Sequence, residues 1–388
     1  MTTAAQAGPK VPAQAGTMAA LRIEGPHRVA LARVPRPEPG PGSVLVRTAL
    51  VGLCGTDLEL LHGTASYLRD GRAGYPVVFG HEWTGTVVSP GHELAVGERV
   101  VGHTMLHCGY CRMCLRGRRT LCERLREVGL YGQQGAAAEY VVMPEGSLSR
   151  VPDGVTDRAA ALTEPAVTVV GGLELARCGL ADRVAVIGTG TIGLLAVQLA
   201  ARTAGSVDAI GIDPAGLELA RRCGARRGLT PELAGRTGLG RYSLVVEASG
   251  AASAFRLGLD LLEPGGRLTV IGVAGAPAEG FAPGELALRG LEVIGVRHGL
   301  DYYDRTLRLY QDGVLDADPL IAAVLPAAEG PRAFELLANG RSGPPKLLLD
   351  FSDSADRGRA DGDRADRNQA DRNQADHDPA DHDRGGSR

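Results

Sequence analysis

Val184-Ala185-Val186-Ile187-Gly188-Thr189-Gly190-Thr191-Ile192-Gly193-Leu194-Leu195 is the stretch that decides the fold: an apolar run, a glycine-rich turn, then a second apolar run with helical spacing. Strand, tight turn and helix in that order direct backbone N–H groups and the positive end of a helix at one point, where a dinucleotide pyrophosphate can be held. Gly188, Gly190 and Gly193 take the three glycine places, and Thr191 and Ile192 open the helix. Asp213 follows Gly193 by 20 residues, at the end of the next strand-like stretch. A carboxylate there accepts hydrogen bonds from the adenosine ribose diol and repels a 2′-phosphate, so NAD is expected in preference to NADP. The plain alternative is a packing turn, with Asp213 merely preceding Pro214.

Outward from this stretch, strand and helix signals alternate between about residues 166 and 299. The strand candidates are Arg183 to Ile187, Ala209 to Ile212, Leu244 to Glu247, Arg267 to Ile271 and Glu292 to Val296. Helical periodicity fills the gaps, clearest in Ile192 to Ala200 and Gly216 to Cys223, and the alternation predicts an α/β, doubly wound parallel sheet. From Leu21 to Pro165 the texture differs: short β-rich runs such as Ser43 to Arg47, Gly85 to Val88 and Glu98 to Val101 are punctuated by Gly and Pro, as in a strand-rich domain with long loops. Tyr302 to Asp312 reads as a helix, and Lys346 to Asp350 as a last strand that rejoins the first domain. Residues 1–20, with Met18 as an alternative start, and 352–388, with its ADRNQ and ADHD near-repeats, read as disordered tails. His377 and His382 in the second tail read as solvated.

Length and charge narrow the function. A chain of 388 residues is long enough for two cores. The tail from Ser352 holds ten Asp and seven Arg, and without them the 45 acidic and 42 basic residues become 35 of each. A neutral body gives no electrostatic reason to expect nucleic acid or an anionic membrane as partner. No apolar run approaches the roughly 20 residues that span a bilayer, and the N-terminus lacks a secretion signal's charged and apolar regions. With seven cysteines, five in metal-like positions, the chain reads as cytoplasmic; Cys178 and Cys223 are expected to be inert thiols.

Two sets of soft ligands stand out. Cys108-x2-Cys111-x2-Cys114-x7-Cys122 places four thiols within fifteen residues, a spacing that wraps a loop around a tetrahedral zinc, coordinatively full and so structural. A nucleic-acid zinc ribbon is the rival, but ribbons pair two separated C-x2-C knuckles, and Arg112, Arg116, Arg118 and Arg119 are expected to face solvent. Upstream, Cys54-Gly55-Thr56-Asp57 is followed by Gly80-His81-Glu82. Cys54 and His81 offer a thiolate and an imidazole, with Glu82 or Glu164 as the acidic ligand, and such a set leaves a position open for substrate. Asp57 is suited to orient the imidazole and the Thr56 hydroxyl to carry a proton.

On these residues, from about Leu21 to Phe351, the chain resembles the zinc-dependent medium-chain alcohol and polyol dehydrogenases: CGTD at Cys54, GHE at Gly80, the four-cysteine loop, EP at Glu164 and GTGTIG at Gly188. The resemblance implies a GroES-like catalytic domain over 21–165 with a structural-zinc lobe at about 105–125, a Rossmann NAD-binding domain over 166–299, and a return to the catalytic domain over 300–351. It further implies two zinc ions per chain, NAD, a small-molecule alcohol or ketone substrate in the cleft, and a homodimer or homotetramer. A carboxylate where the best-known alcohol dehydrogenases have a second cysteine is similar to the sorbitol, threonine and glucose dehydrogenases. The place where some relatives have a relay histidine is Glu59, Trp83 either shapes the substrate wall or packs, and Arg297 and His298 lie within reach of the cleft. The expected activity is interconversion of a secondary alcohol of a polyol, sugar, cyclitol or amino alcohol with its ketone. The rivals are a zinc-free quinone or enoyl reductase of the same superfamily and a non-catalytic NAD-sensing zinc protein.

Overall fold

The computed structural model describes residues 16–352 apart from 274, 279 and 341. His377, His382 and nearly all of both expected tails lie outside the described residues. The first strand, Thr17–Gly25, begins ahead of the expected start near Leu21. Met18 and Ala20 are buried, and Ala20 bridges Ala138, so this Ala-rich stretch is a strand whose small side chains allow close packing.

Six strands form a parallel sheet in the order Arg227–Leu229, Ser206–Ile210, Arg183–Ile187, Tyr242–Glu247, Leu262–Val270, Glu292–Gly295. The order runs outward in both directions from Arg183–Ile187, the strand that leads into the glycine turn. A crevice therefore opens beyond its carboxyl end, where doubly wound sheets bind ligands. Arg227–Leu229 escapes a sequence reading because three residues, one of them apolar, carry no period.

A second, mostly antiparallel sheet runs Leu148–Arg150, Arg99–Gly102, Glu82–Val87, Ser43–Gly52, Lys346–Asp350, Ile321–Pro326, with Tyr140–Pro144 also paired to Ser43–Gly52. Lys346–Asp350 joins it with Leu348 opposite Gly52 and Leu349 opposite Val51, so the last strand lies against the residues that lead into Cys54. Among the described residues no helix is long and apolar enough to cross a membrane.

One apolar cluster runs through the seam between the sheets, containing Leu50, Val101 and Met105 together with Val184, Leu194, Tyr303 and Leu307. Helix Thr163–Leu175, buried along nearly its whole length, lies in this seam. Gly299 crosses it so closely that an added Cβ would overlap the Val167 carbonyl, and Gly171 faces the Gly299 Cα. That approach brings His298 beside Glu164, in the first turn of the same helix. Gly299→Ala is expected to cost about 1–3 kcal/mol by forced repacking, read as a lower denaturant midpoint with an unchanged slope.

Candidate functional site

Cys54 follows the strand Ser43–Gly52 and caps helix Gly55–His62, its backbone N–H donating to Asp57 Oδ2 at 2.9 Å. The other oxygen of the fully buried Asp57 faces His81 Nδ1 at 3.5 Å, and neither atom has another partner among the described residues. One carboxylate therefore fixes the backbone at Cys54 and the orientation of the imidazole, leaving Nε2 as the ring's donor to a metal. Burial disfavours a charged ring, but Asp57 outweighs it and holds the His81 pKa well above the ordinary imidazole value. Gly80, at φ 95°, turns the chain where an added Cβ would press on the Ala137 backbone. The two residues after it, His81 and Glu82, then both present a donor atom toward Cys54.

The donor atoms of Cys54, His81 and Glu82 lie within 4.8 Å of one another. Thiolate, imidazole and carboxylate at that spacing fit one zinc ion, with room in a tetrahedral shell for a fourth ligand. Thr56 Oγ1 is 3.8 Å from Cys54 Sγ, at the rim of the same site. Of the two carboxylates open to the sequence reading, Glu82 joins the trio. Glu164 is outside this 4.8 Å group and accepts from His298 Nε2 at 3.1 Å. Burial pushes the Glu164 pKa up, but the His298 hydrogen bond and charge, then His81, outweigh it and hold the carboxyl below its usual range.

Lys346 and the contacts of Thr104 and Tyr303 were not anticipated from the sequence. Lys346 Nζ donates to Glu82 Oε2 at 2.6 Å and to the Leu53 carbonyl at 2.9 Å. Burial works against its charge, but Glu82 and then Cys54 keep its pKa above the ordinary lysine value. The Thr104 hydroxyl donates to the His81 carbonyl and its N–H to Tyr303 Oη, tying the ligand loop to the seam. Trp83 is 1% exposed and lies against Gly102, where a Cβ would overlap the indole, so it packs within the apolar core of this domain. Glu59 is exposed. Arg297 pairs with Glu127 at 2.9 Å, and Tyr131 donates to the same carboxylate at 2.8 Å.

In the cysteine loop, Sγ–Sγ distances are 4.0 Å for Cys108–Cys114, 3.5 Å for Cys111–Cys114 and 3.8 Å for Cys111–Cys122. Tetrahedral zinc with bonds of about 2.3 Å sets its sulfurs about 3.8 Å apart, so the four thiols fit that ion. Backbone N–H groups of Cys108 and Arg124 donate to Cys122 Sγ, and that of Cys111 to Cys108 Sγ, which orients these sulfurs toward one another. Arg119 forms an ion pair with Asp301 and so ties the loop to the segment after the parallel sheet.

On the cofactor side, Gly188 has φ 115°, Gly190 caps helix Thr191–Thr203, and a Cβ on Gly193 would overlap the Gly188 carbonyl. Gly190, Thr191 and Ile192 remain at least partly exposed at the helix start, suiting them to a pyrophosphate. Asp213 caps helix Pro214–Arg222 through the N–H groups of Ala215 and Gly216. It also accepts from Ser342 Oγ at 2.7 Å and Gly343 N at 3.0 Å, contacts that hold its pKa low.

Residues 40–153 match the family model of the alcohol dehydrogenase GroES-like domain, and residues 191–312 that of zinc-binding dehydrogenases. An L-threonine 3-dehydrogenase of Pectobacterium carotovorum is 30% identical over 82% of this chain and 94% of its own length. Among solved structures, a zinc-binding dehydrogenase from Sinorhizobium meliloti bound to NADP is 30% identical with a TM-score of 0.80, covering 86% of this chain and 99% of its own. Galactitol-1-phosphate dehydrogenase from Escherichia coli is 27% identical with a TM-score of 0.77, at the same coverage of both chains. Cys111→Ser is expected to cost one zinc equivalent per chain and several degrees of thermal stability, by metal analysis and thermal unfolding, while the metal at Cys54 stays.

Proposed function

Because the chain belongs to the zinc-dependent medium-chain dehydrogenase family, we propose that it is an NAD(H)-dependent oxidoreductase interconverting a secondary alcohol of a polyol, sugar, cyclitol or amino alcohol with its ketone. The observation that carries this reading is the convergence of Cys54, His81 and Glu82 within 4.8 Å. These three residues would hold the catalytic zinc, and Cys108, Cys111, Cys114 and Cys122 a second, structural one. Bound there, zinc would supply Lewis-acid polarisation of a substrate hydroxyl, and a nicotinamide cofactor would supply hydride-acceptor chemistry.

The chain's own groups do the rest. Asp57 keeps the His81 ring turned to the site, and Thr56, at the rim beside Cys54, relays the hydroxyl proton, accepting it as its own hydroxyl hydrogen passes on toward solvent. Glu164, held anionic by His298, adds a second carboxylate close enough to the ligand trio to feel the His81 charge. Such a group suits a substrate with a hydroxyl or ammonium next to the reacting carbon, since either can donate to it. Asp213 carries the preference for NAD, because its low pKa keeps a negative charge where NADP has its 2′-phosphate. No cysteine is paired in a disulfide, which leaves Cys54 and the four-cysteine loop available as metal ligands. A zinc-free reductase would have no use for a buried thiol, imidazole and carboxylate aimed at one point.

The test is a screen of polyols, amino alcohols and cyclitols for NADH formation, with and without a chelator, on the parent protein and Cys54→Ser. Losing several kcal/mol of metal assistance corresponds to about 10³-fold or more in turnover. The variant should lose that much while binding NADH within about threefold of the parent; turnover that persists in Cys54→Ser removes the catalytic-zinc reading.

A further inference from the structure

Of the 42 Lys and Arg residues in this chain, only Lys10 and Lys346 are lysines. A protein that uses arginine at nearly every basic position keeps a lysine where a cation is packed among the metal donors. Its side chain is 3% exposed, in the first residue of the strand Lys346–Asp350. From there Nζ bridges the Leu53 carbonyl, one residue before Cys54, and Glu82 Oε2.

The setting of Glu82 explains why the type of cation matters. An added Cβ on Gly52 would overlap Glu82 Oε2, so the carboxylate sits in space that only glycine leaves free. Oε2 is thereby seated between Gly52 and the ammonium, while Oε1 has no hydrogen bond among the described residues. Lysine is a compact point charge that can hold one oxygen. Arginine presents a planar fork that takes both oxygens of a carboxylate at once.

We propose that Lys346 is a positioning residue that grips Glu82 by Oε2 alone and leaves Oε1 free for the metal, a task for which arginine is the wrong cation. This rests on the reading of Cys54, His81 and Glu82 as metal ligands. Lys346→Arg keeps the charge but engages both oxygens and draws Glu82 out of the ligand set. The site then keeps two firm protein ligands in place of three.

The experiment uses the full-length protein. Zinc affinity is measured by chelator competition, and the visible bands of the cobalt(II)-substituted protein are recorded, with Cys54→Ser giving the four-cysteine contribution to subtract. The parent should bind two metals per chain. Lys346→Arg should keep the four-cysteine metal, bind the other ten- to a hundredfold more weakly, in the range typical for loss of a ligand's supporting contact, and shift the cobalt bands of that site. In a Glu82→Gln background the same substitution should cost no more than threefold, because the carboxylate it redirects is gone. Lys346→Met, which removes the ammonium without adding bulk, should also shift the cobalt bands and serves where the arginine variant does not fold. Unchanged cobalt bands in both variants, or an affinity loss equally large in the Glu82→Gln background, would overturn the proposal and make Lys346 a packing residue. A parent that binds one metal overturns the ligand reading and this inference together; two metals with indifferent variants overturn this inference alone.

Discussion

The rest of the structure depends on holding ionisable groups together away from water. Asp57, His81, Glu82 and Lys346 are all at most 4% exposed, and isolated charges so placed would cost far more than a domain's net stability. Pairing keeps the cluster affordable: Asp57 against His81, Lys346 against Glu82, and His298 against Glu164. Breaking one such pair leaves a buried charge without compensation, and in two of the pairs one partner is also tied to backbone. Asp57 is held by the Cys54 N–H and Lys346 by the Leu53 carbonyl.

These anchors come from chain segments far apart in sequence, and the strand Ser43–Gly52 is what gathers them. It pairs with Glu82–Val87 on one side and Lys346–Asp350 on the other, so Cys54, Glu82 and Lys346 meet at its exit. The Glu164–His298 pair sits in the seam, where Gly299 lies flush against helix Thr163–Leu175. The shared apolar seam and the Thr104–Tyr303 contact hold the two sets in register. Site geometry is thus an outcome of how two sheets share one core.

The cofactor side shows a local motif with a long-range supplement. The glycine turn is dictated by close approach: Gly193 against the Gly188 carbonyl, and Gly188 in a backbone region that disfavours side chains. Asp213 offers about four acceptor positions, two used in capping its own helix and two by Ser342 and Gly343. Asp213 thereby links the return segment to the parallel sheet.

The sequence by itself determined whatever depends on neighbours along the chain: the doubly wound sheet, the glycine turn, the four-cysteine loop, and the candidacy of Cys54, Asp57, His81 and Glu82. Strand periods, turn glycines and ligand spacings are local constraints, and they leave local traces. What no local trace could settle was which of Glu82 and Glu164 accompanies Cys54 and His81, that Met18 and Ala20 belong to a strand, or that Trp83 is packed away. Lys346 was legible only as the first residue of a strand. Its tie to Glu82 spans 264 positions and exists because strand pairing sets the two side by side. Tertiary structure alone decides such contacts, because burial and charge pairing depend on which segments the core brings together.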